Sequence, residues 1–452
     1  MADGKYLTAP LPSTKMPKGI PYILCNEAWE RFSFYGMRCI LVIFMTKYLM
    51  GDGGVLNVMG AEESKTYFHS FVAAVYFMPL AGALICDIWL GKYRTIIIFS
   101  LVYCLGFLAM ALDNTRLGLV TGLILIAIGS GVIKPCVSAN VGDQFGRSNK
   151  HLIERVYGWF YFAINFGAFI SQLLIPVMLD KYGPRTAFGI PAFFMFIATV
   201  AFWMGRKKFV HIPAGGIGFV KETLSGEGLK AIGKLCVLYV FVAMFWSLFD
   251  QMDSAWVLQA EKMNRNWLGH DWLSAQIVAV NPLMILLLIP TFSFVIYPLI
   301  NKIIPLTPLR KISIGMFLAA SPFVVSAIIE TNISAGAKPS IGWMILAYLL
   351  LTSAEVMVSI TCLEFSYTQS PKKMKSFIMA VFLLSVSLGN AFTAIVNKFI
   401  QNQDGTSKLE GASYFWFFAI MMAFTALIFV FVAMGYREKT YIQDENSAKS
   451  NV

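Results

Sequence analysis

Residues 21–50 read PYILCNEAWERFSFYGMRCILVIFMTKYLM, a largely apolar stretch with two glutamates and two arginines between positions 27 and 38. An α-helix rises 1.5 Å per residue, so about 20 residues cross the hydrocarbon core of a bilayer. The length of this stretch predicts a transmembrane helix. Its charges predict that one side of the helix faces a polar interior instead of lipid.

The rest of the chain is similarly apolar. Of 452 residues, 57% are apolar and 13% are charged, which is more apolar side chains than a water-soluble core needs. The apolar segments are long and continuous, which favours helices over the short alternating strands of a transmembrane barrel. We therefore expect an all-α integral membrane protein of about twelve spans, near residues 21–50, 66–90, 94–112, 117–142, 155–178, 186–205, 232–258, 276–300, 310–330, 340–368, 375–400 and 412–436.

Lysine and arginine predict the orientation of these spans. They are more frequent in the loops on the side of residues 1–20 than in the other loops, and lysine-rich and arginine-rich loops face the cytoplasm. We expect a multi-pass protein of the plasma membrane or the bacterial inner membrane, with both termini cytoplasmic. This asymmetry and anionic inner-leaflet lipid explain the net charge of +11 without a nucleic-acid partner. The residues before Ile20 lack the apolar core of a cleaved signal peptide, so the first helix is expected to stay in the mature protein.

Residues 206–231 are the longest polar interruption of the chain and are rich in glycine. We interpret them as a cytoplasmic linker between a six-helix bundle at 1–205 and a second bundle at 232–452, which ends in a short cytoplasmic tail. Residues 82–94, GALICDIWLGKYR, resemble the cytoplasmic loop signature of the major facilitator superfamily. Six plus six spans with this loop imply two bundles that rock around a central cavity.

Several charges lie inside the predicted spans. Each costs roughly 2.5–3.5 kcal/mol near the bilayer centre unless it has a partner or water. At 100° per residue, Arg31 lies about 40° and Arg38 about 20° from Glu27 around the first helix, with Glu30 at the border of the same face. Lys134 in the fourth span needs a partner too, and we expect it to pair with these glutamates.

Other charged residues lie in both halves of the chain. They are His69 in the second span, Asp250 in the seventh, and Glu355 and Glu364 in the tenth. Fixed ion pairs between helices would account for a single pair. A larger set is better explained as a pathway through the membrane, because buried ion pairs rarely improve stability over apolar replacements.

Six motifs in order resemble those of the proton-coupled oligopeptide transporters, the peptide transporter family of the major facilitator superfamily. The pattern E-x-x-E-R-F-x-[YF]-Y-G stands at 27–36 and F-Y-x-x-I-N-x-G at 160–167. The others are Lys134 in the fourth span, Asp143-Gln144-Phe145 after it, F-W-x-x-[FY]-[DE]-Q at 245–251 and E-F-x-Y at 364–367. The resemblance covers about 21–436. The linker at 206–231 is too short for the two extra helices of many bacterial members, so the resemblance implies a minimal twelve-helix member.

This resemblance implies proton-coupled symport of di- and tripeptides into the cell by alternating access. Arg38 and Lys134 would hold the peptide carboxylate, Glu364 its ammonium, and Asn165 and Asn281 its amide or termini. The aromatic members of the set would line side-chain space, although ordinary helix packing also explains them. An extended peptide spans about 3.3–3.6 Å per residue, so a clamp roughly 7–11 Å wide accepts two or three residues. The implied substrate site comprises Tyr35, Arg38, Tyr76, Lys134, Asn165, Trp246, Asn281 and Glu364.

The residues implied for proton coupling are Glu27, Glu30, Arg31, His69 and Asp250. A peptide carboxylate that competes for Lys134 would weaken the pairing with Glu27 and favour its protonation, which links peptide binding to proton binding. On the outer side, the resemblance implies a gate in which Asp250 pairs with Arg38 and is released on protonation. Histidine titrates near physiological pH, but a purely structural position at the start of its helix remains open for His69.

Alternative functions remain open at this stage. The same scaffold serves other proton-coupled carriers, of nitrate or another metabolite, and a non-transporting peptide sensor or a channel is a further possibility. An enzyme is not expected, because no nucleophile, base and orienting group have a plausible spacing. The cysteines and histidines lack metal-ligand spacing, so no cofactor is expected besides protons as the coupling ion. The chain is expected to be monomeric and surrounded by membrane lipids.

Overall fold

The computed structural model describes residues 6–10, 12–212, 214, 226–369, 375–403 and 406–436. Nearly all of this part of the chain is helical, and the all-α prediction is confirmed. The helices are α1 (Ile20–Lys47), α2 (Ala61–Leu84), α3 (Lys92–Leu112), α4 (Arg116–Asp143), α5 (Ile153–Met204), α6 (Gly226–Phe249), α7 (Ala255–Glu261), α8 (Val280–Thr291), α9 (Tyr297–Asn301), α10 (Pro308–Ser334), α11 (Gly342–Glu355), α12 (Thr361–Thr368), α13 (Lys375–Ile400) and α14 (Ala412–Gly435).

Short irregular elements connect these helices. A π-helical segment extends α2, and two others join α8 to α9 and α11 to α12; these segments are Ile85–Leu90, Phe292–Ile296 and Val356–Ile360. Two-residue strands, β1 (Asn266–Trp267) and β2 (His270–Asp271), pair antiparallel. Leu268 and Gly269 between them both have positive φ, at 56° and 76°, as a tight type I′ hairpin turn requires.

Ten helical segments of the described chain are long and apolar enough to cross a membrane. One of them, Arg155–Lys207, has 53 residues and is broken at Gly183, where φ is 78° and ψ is −178°. That segment therefore supplies two spans. Helix α1 has 28 residues, long enough to cross a membrane, and adds another span; it is not among the ten because four charged residues between positions 27 and 38 make it more polar. The twelve spans expected from the sequence are thus accounted for.

Contacts with α1 show that the chain reverses at this break. The part of α5 before Gly183 runs in the same direction as α1, and the part after it runs in the opposite direction. The contacts are Ala28 with Gly167, Gly36 with Ile175, Trp29 with Phe194 and Phe44 with Phe188. The two spans of α5 therefore form a hairpin that flanks the charged first helix.

Glycines allow the helices to pack closely. A Cβ atom added at Gly82 of α2 would lie 2.7 Å from the carbonyl oxygen of Val132 in α4. Small residues at such crossings let backbones approach, which strengthens packing inside a membrane where the hydrophobic effect contributes little. Helix α2 also packs along α13, so the N-terminal and C-terminal spans meet along this pair.

The predicted bundle boundaries remain predictions. Residues 213 and 215–225 of the proposed linker and the proposed cytoplasmic tail, 437–452, lie outside the described residues. The described parts of the linker region are 206–212, which begin in the short 3-10 helix Gly205–Lys207, residue 214, and 226–231, which form the start of α6.

Replacement of Gly389 by alanine is expected to lower stability. The added Cβ would lie 2.2 Å from the carbonyl oxygen of Ala243 and 2.8 Å from the amide nitrogen of Ser247, both backbone atoms of α6 that cannot rotate away. We expect Gly389→Ala to cost about 1–3 kcal/mol, as overpacking usually does, measured by thermal unfolding of the purified protein in detergent.

Gly233→Ala, on the partner helix α6, is the control, because nothing lies within 4 Å of its added Cβ. Its effect should stay within about 0.5 kcal/mol. Equal unfolding temperatures for the Gly389 variant and this control would contradict the close packing of α6 against α13.

Candidate functional site

The first helix presents an ion cluster near the middle of the membrane part. Arg31 Nε lies 2.7 Å from Glu27 Oε1 and 2.9 Å from Glu30 Oε2, and both glutamates are buried. The Glu27 contact joins residues four apart, as the helical spacing predicts. One guanidinium therefore pairs with two carboxylates. With all three groups ionised, the cluster carries a net charge of −1.

Lys134 of α4 does not form the ion pair expected from the sequence. Its ammonium lies 4.2 Å from the ring centre of Phe34 and 4.4 Å from that of Tyr76. It is buried and has no hydrogen-bond partner among the described residues. The expectation was wrong because Arg31, one helical turn from Glu27, already pairs with both glutamates. Lys134 is instead a buried cation held over two aromatic rings.

Arg38 connects the two halves of the chain. Its Nη2 atom pairs with Asp250 and lies 2.8 Å from Asp253 Oδ2, and all three side chains are almost fully buried. The predicted meeting of Arg38 with Asp250 is therefore present. Asp253 is a second partner of Arg38, so the three side chains form a triad. Arg38 thus joins the two halves of the chain. Its expected contact with a peptide carboxylate remains a prediction.

His69 joins the same network through other residues of the C-terminal half. Its Nδ1 atom lies 2.7 Å from Asn390 Oδ1, and its Nε2 atom lies 2.9 Å from Ser254 Oγ. Asn390 Nδ2 in turn donates to Asp250 Oδ2 at 2.5 Å. His69 therefore reaches Asp250 by way of Asn390. We call Arg38, His69, Asp250, Asp253 and Asn390 the outer gate.

A second polar group lies in the C-terminal half. Asn281 Nδ2 donates to Glu355 Oε2 at 3.0 Å and to Thr352 Oγ1 at 3.1 Å. Helix α8, which carries Asn281, packs against α5 of the N-terminal half. Glu355 thus belongs to a polar group on the helices of the C-terminal half that meet the N-terminal half.

Glu364 has different surroundings from those expected. Its side chain is exposed and lies near Tyr297, whose ring also packs under the Lys311 ammonium. Residues nine apart lie about 180° apart on a regular helix, and a π-helical segment here changes the register further. The half-buried Glu355, rather than the exposed Glu364, is therefore the acid that contacts buried Asn281.

The remaining predicted residues lie near these groups. Asn165 is 8% exposed and donates through Nδ2 to the carbonyl oxygen of Tyr161. Trp246 packs against Phe245 and Phe249, and its indole Nε1 has no hydrogen-bond partner among the residues described. An unpaired indole N–H at the centre of a protein is a donor that a ligand can use.

Sequence reasoning missed Asp253 and Asn390 of the outer gate, and also Ser254, whose hydroxyl contacts His69. Asp253 follows Asp250 by three residues, which places both on one side of a helical turn. Asn390 belongs to a polar stripe on α13 with Thr393 and Asn397, all fully buried in an apolar helix. That stripe was a usable signal, whereas nothing in the local sequence indicates Ser254.

Removal of the Asp250 carboxylate should destabilise the protein strongly, because it leaves Arg38 with one buried partner. We expect Asp250→Ala to cost about 3–5 kcal/mol in unfolding free energy. The triple variant Arg38→Met/Asp250→Ala/Asp253→Ala should recover part of this loss, because it removes the buried cation together with both of its carboxylates. Asp271→Ala, an exposed carboxylate in the β-hairpin, is the control and should change stability by less than about 0.5 kcal/mol. A triple variant less stable than Asp250→Ala would contradict the pairing.

Comparisons with known proteins agree with this architecture. A family model described as the POT family matches residues 93–223 and 217–417. "Peptide transporter family 1" of Drosophila melanogaster is 36% identical over 375 residues, 72% of this chain and 49% of that protein. "Solute carrier family 15 member 2" of Homo sapiens is 36% identical over 398 residues, 76% of this chain and 53% of that protein. The chain spans about half the length of the curated relatives it matches.

A crystal structure described as that of an auto-inhibited POT family peptide transporter is 34% identical to this chain. It superimposes with a TM-score of 0.86, over 95% of this chain and 99% of that one. The fold, the charged spans and the family match lead to one conclusion: this chain is a multi-pass membrane protein that belongs to the POT family of transporters.

Proposed function

We propose that this protein carries di- and tripeptides into the cell together with protons, by alternating access. The curated relatives named above are called peptide transporters or solute carriers, and the superimposed crystal structure is of a peptide transporter. The proposal extends that activity to this chain on the basis of its own buried charges.

The observation that carries the proposal is the buried Lys134 ammonium. Among the described residues it has no hydrogen-bond or ion-pair partner, and it lies over the faces of Phe34 and Tyr76. A buried cation without a directly paired anion is costly in a membrane protein. An anionic group of a ligand would supply the missing charge, and a peptide offers its terminal carboxylate.

Glu355 supplies the complementary charge in the other half. Its carboxylate accepts a hydrogen bond from Asn281 of α8, the helix that packs against α5 of the N-terminal half. A ligand with a carboxylate at one end and an ammonium at the other can bind Lys134 and Glu355 at once. Every unmodified peptide has these two ends, so such a clamp accepts different side chains. We therefore assign to Glu355 the ammonium-binding role expected of Glu364.

The outer gate supports alternating access. Its ion pairs and hydrogen bonds join the two halves on the side of the membrane where α1 ends. Opening on that side requires Arg38 to leave two aspartates. A proton on Asp250 or Asp253 removes one of the charges that hold Arg38, so protonation favours opening. Each proton that then enters gains about 2.3 kcal/mol per 100 mV of membrane potential.

The remaining expectations are part of the same proposal. Both termini face the cytoplasm, in a plasma membrane or bacterial inner membrane, as the loop charges indicate. Both halves of the outer gate come from one chain, which fits a monomer surrounded by lipid. Protons are the coupling ion, no further cofactor is used, and no reaction is catalysed.

Uptake into liposomes tests the proposal. Purified protein is reconstituted, and a labelled dipeptide is followed under an inward proton gradient, with and without an ionophore. We expect accumulation above the outside concentration that the ionophore abolishes. Absence of uptake by correctly inserted protein, for several dipeptides, would favour the carrier of another metabolite. Uptake that equilibrates without accumulating would favour a channel.

Glu355→Gln should weaken dipeptide binding, because an amide cannot neutralise the peptide ammonium. A charged hydrogen bond contributes about 1.5–3 kcal/mol, so we expect roughly a 10–100-fold rise in Kd or KM for dipeptide. Glu364→Gln is the matched control, with the same change on the same span, and its KM should remain that of the wild type. A larger rise in KM for Glu364→Gln than for Glu355→Gln would show that Glu364 binds the ammonium, as the sequence led us to expect.

Glu27→Gln should uncouple uptake from protons, because the amide cannot take up the proton that Glu27 exchanges. We expect inward current under dipeptide at acidic outside pH to be lost, while exchange of labelled for unlabelled dipeptide across the liposome continues. Undiminished current in this variant would rule out Glu27 as the essential proton carrier.

A further inference from the structure

A cavity of about 390 Å³ lies outside the outer gate and between the two halves. The N-terminal half contributes the end of α1 and the start of α2, and the C-terminal half contributes α7, the end of α10 and the start of α14. Lys65 on its wall is four residues before His69 of the gate, one helical turn or about 6 Å away. This volume suits a small molecule. We call it the vestibule.

The vestibule wall has buried charges of both signs. Lys65 Nζ lies 2.8 Å from Glu62 Oε1 and 3.7 Å from the ring centre of Tyr414, and Lys262 Nζ lies 2.8 Å from Glu330 Oε1. Glu62, Lys65 and Glu330 are each more than 90% buried. The contact of Lys65 with Tyr414 joins the two halves across the cavity.

Two acceptor atoms on this wall are unused. Glu62 Oε2 and Gln259 Oε1 are buried and accept no hydrogen bond from any residue that the structure describes. The orientation of the Gln259 amide is fixed, because its Nε2 donates to two acceptors, the carbonyl oxygen of Ser326 and Glu330 Oε2. Its oxygen is therefore the atom left unpaired. Buried acceptors without donors are unfavourable.

These two acceptors are suited to a primary ammonium group. One is a carboxylate oxygen and the other is neutral, and an ammonium has three N–H donors that can serve both. Lys47 and Lys262, whose side chains are 47% and 56% exposed, line the vestibule as well. They pair with Glu261 and Glu330, and each ammonium has further N–H donors for an anionic end of the same ligand. The wall therefore fits a small molecule with an ammonium at one end and a carboxylate at the other.

We propose that the vestibule is a second binding site, for small molecules with a primary ammonium and a carboxylate, and that its occupation holds the outer gate closed. Because both halves contribute to the wall, a ligand that contacts both favours the state in which they are together. Such a ligand on the outside slows reopening of the gate. Its effect on uptake depends on the proposed function, whereas its binding does not.

Thermal unfolding of the purified full chain in detergent tests the binding. The probe is free L-alanine, and N-acetyl-L-alanine, which lacks the ammonium, is its comparison. We expect L-alanine at millimolar concentration to raise the unfolding temperature and N-acetyl-L-alanine to leave it unchanged. Equal shifts from both compounds on the wild-type protein would overturn the proposal without recourse to any variant.

Variants then locate the site. Glu62→Gln should abolish the shift from L-alanine. Its control, Glu63→Gln, should retain the shift, because Glu63 pairs with Arg116 and does not line the vestibule. Glu355→Gln should retain it too, since Glu355 belongs to the central site. A shift that is lost in Glu355→Gln and kept in Glu62→Gln would place the ammonium in the central site and overturn the proposal, while leaving the proposed function intact.

Discussion

The ion pairs of Arg38 with Asp250 and Asp253 hold the two halves of this protein together on one side of the membrane. All three charges are almost fully buried, so water does not compensate for their separation. The halves can part there only if something replaces the lost interactions. In the cycle that we propose, a proton on an aspartate does so by removing a negative charge. Movement of the halves would then depend on protons, and His69 and Asn390 connect the gate to α2 and α13.

Lys134 shows the opposite arrangement. The glutamates that might neutralise it are occupied by Arg31, and aromatic rings are its closest contacts. An unpaired buried cation and a carboxylate on the facing half create a site that is complete only with a dipolar ligand bound. The same physical cost of isolated charge therefore accounts for both the closed gate and the substrate site. In the vestibule, two buried acceptors without donors have a similar cost, which a bound ammonium would remove.

The sequence predicted most of the fold because a membrane imposes a simple length and polarity rule on each span. The reversal at Gly183 also agreed with two separate apolar segments, at 155–178 and 186–205. Local helical spacing predicted the contact of Glu27 with Arg31 correctly. It failed for Lys134, because spacing along one helix does not show which of several cations reaches a carboxylate first. The role of Glu364 came from the resemblance instead of from spacing, and it remains a prediction; its side chain is exposed and lies nine residues from Glu355, beyond a π-helical segment. Ser254 lay beyond sequence reasoning, because its partner belongs to another half of the chain.

The central claim is that the Lys134 ammonium binds the terminal carboxylate of a peptide. The most direct measurement compares the affinity of the purified protein for dialanine and for dialanine amide, which lacks that charge, in the wild type and in Lys134→Gln. The account predicts that the amide binds wild-type protein at least about tenfold more weakly, a difference of about 1.4 kcal/mol, and that the variant binds both ligands equally. The same preference for dialanine in the variant as in the wild type would show that another residue holds the carboxylate.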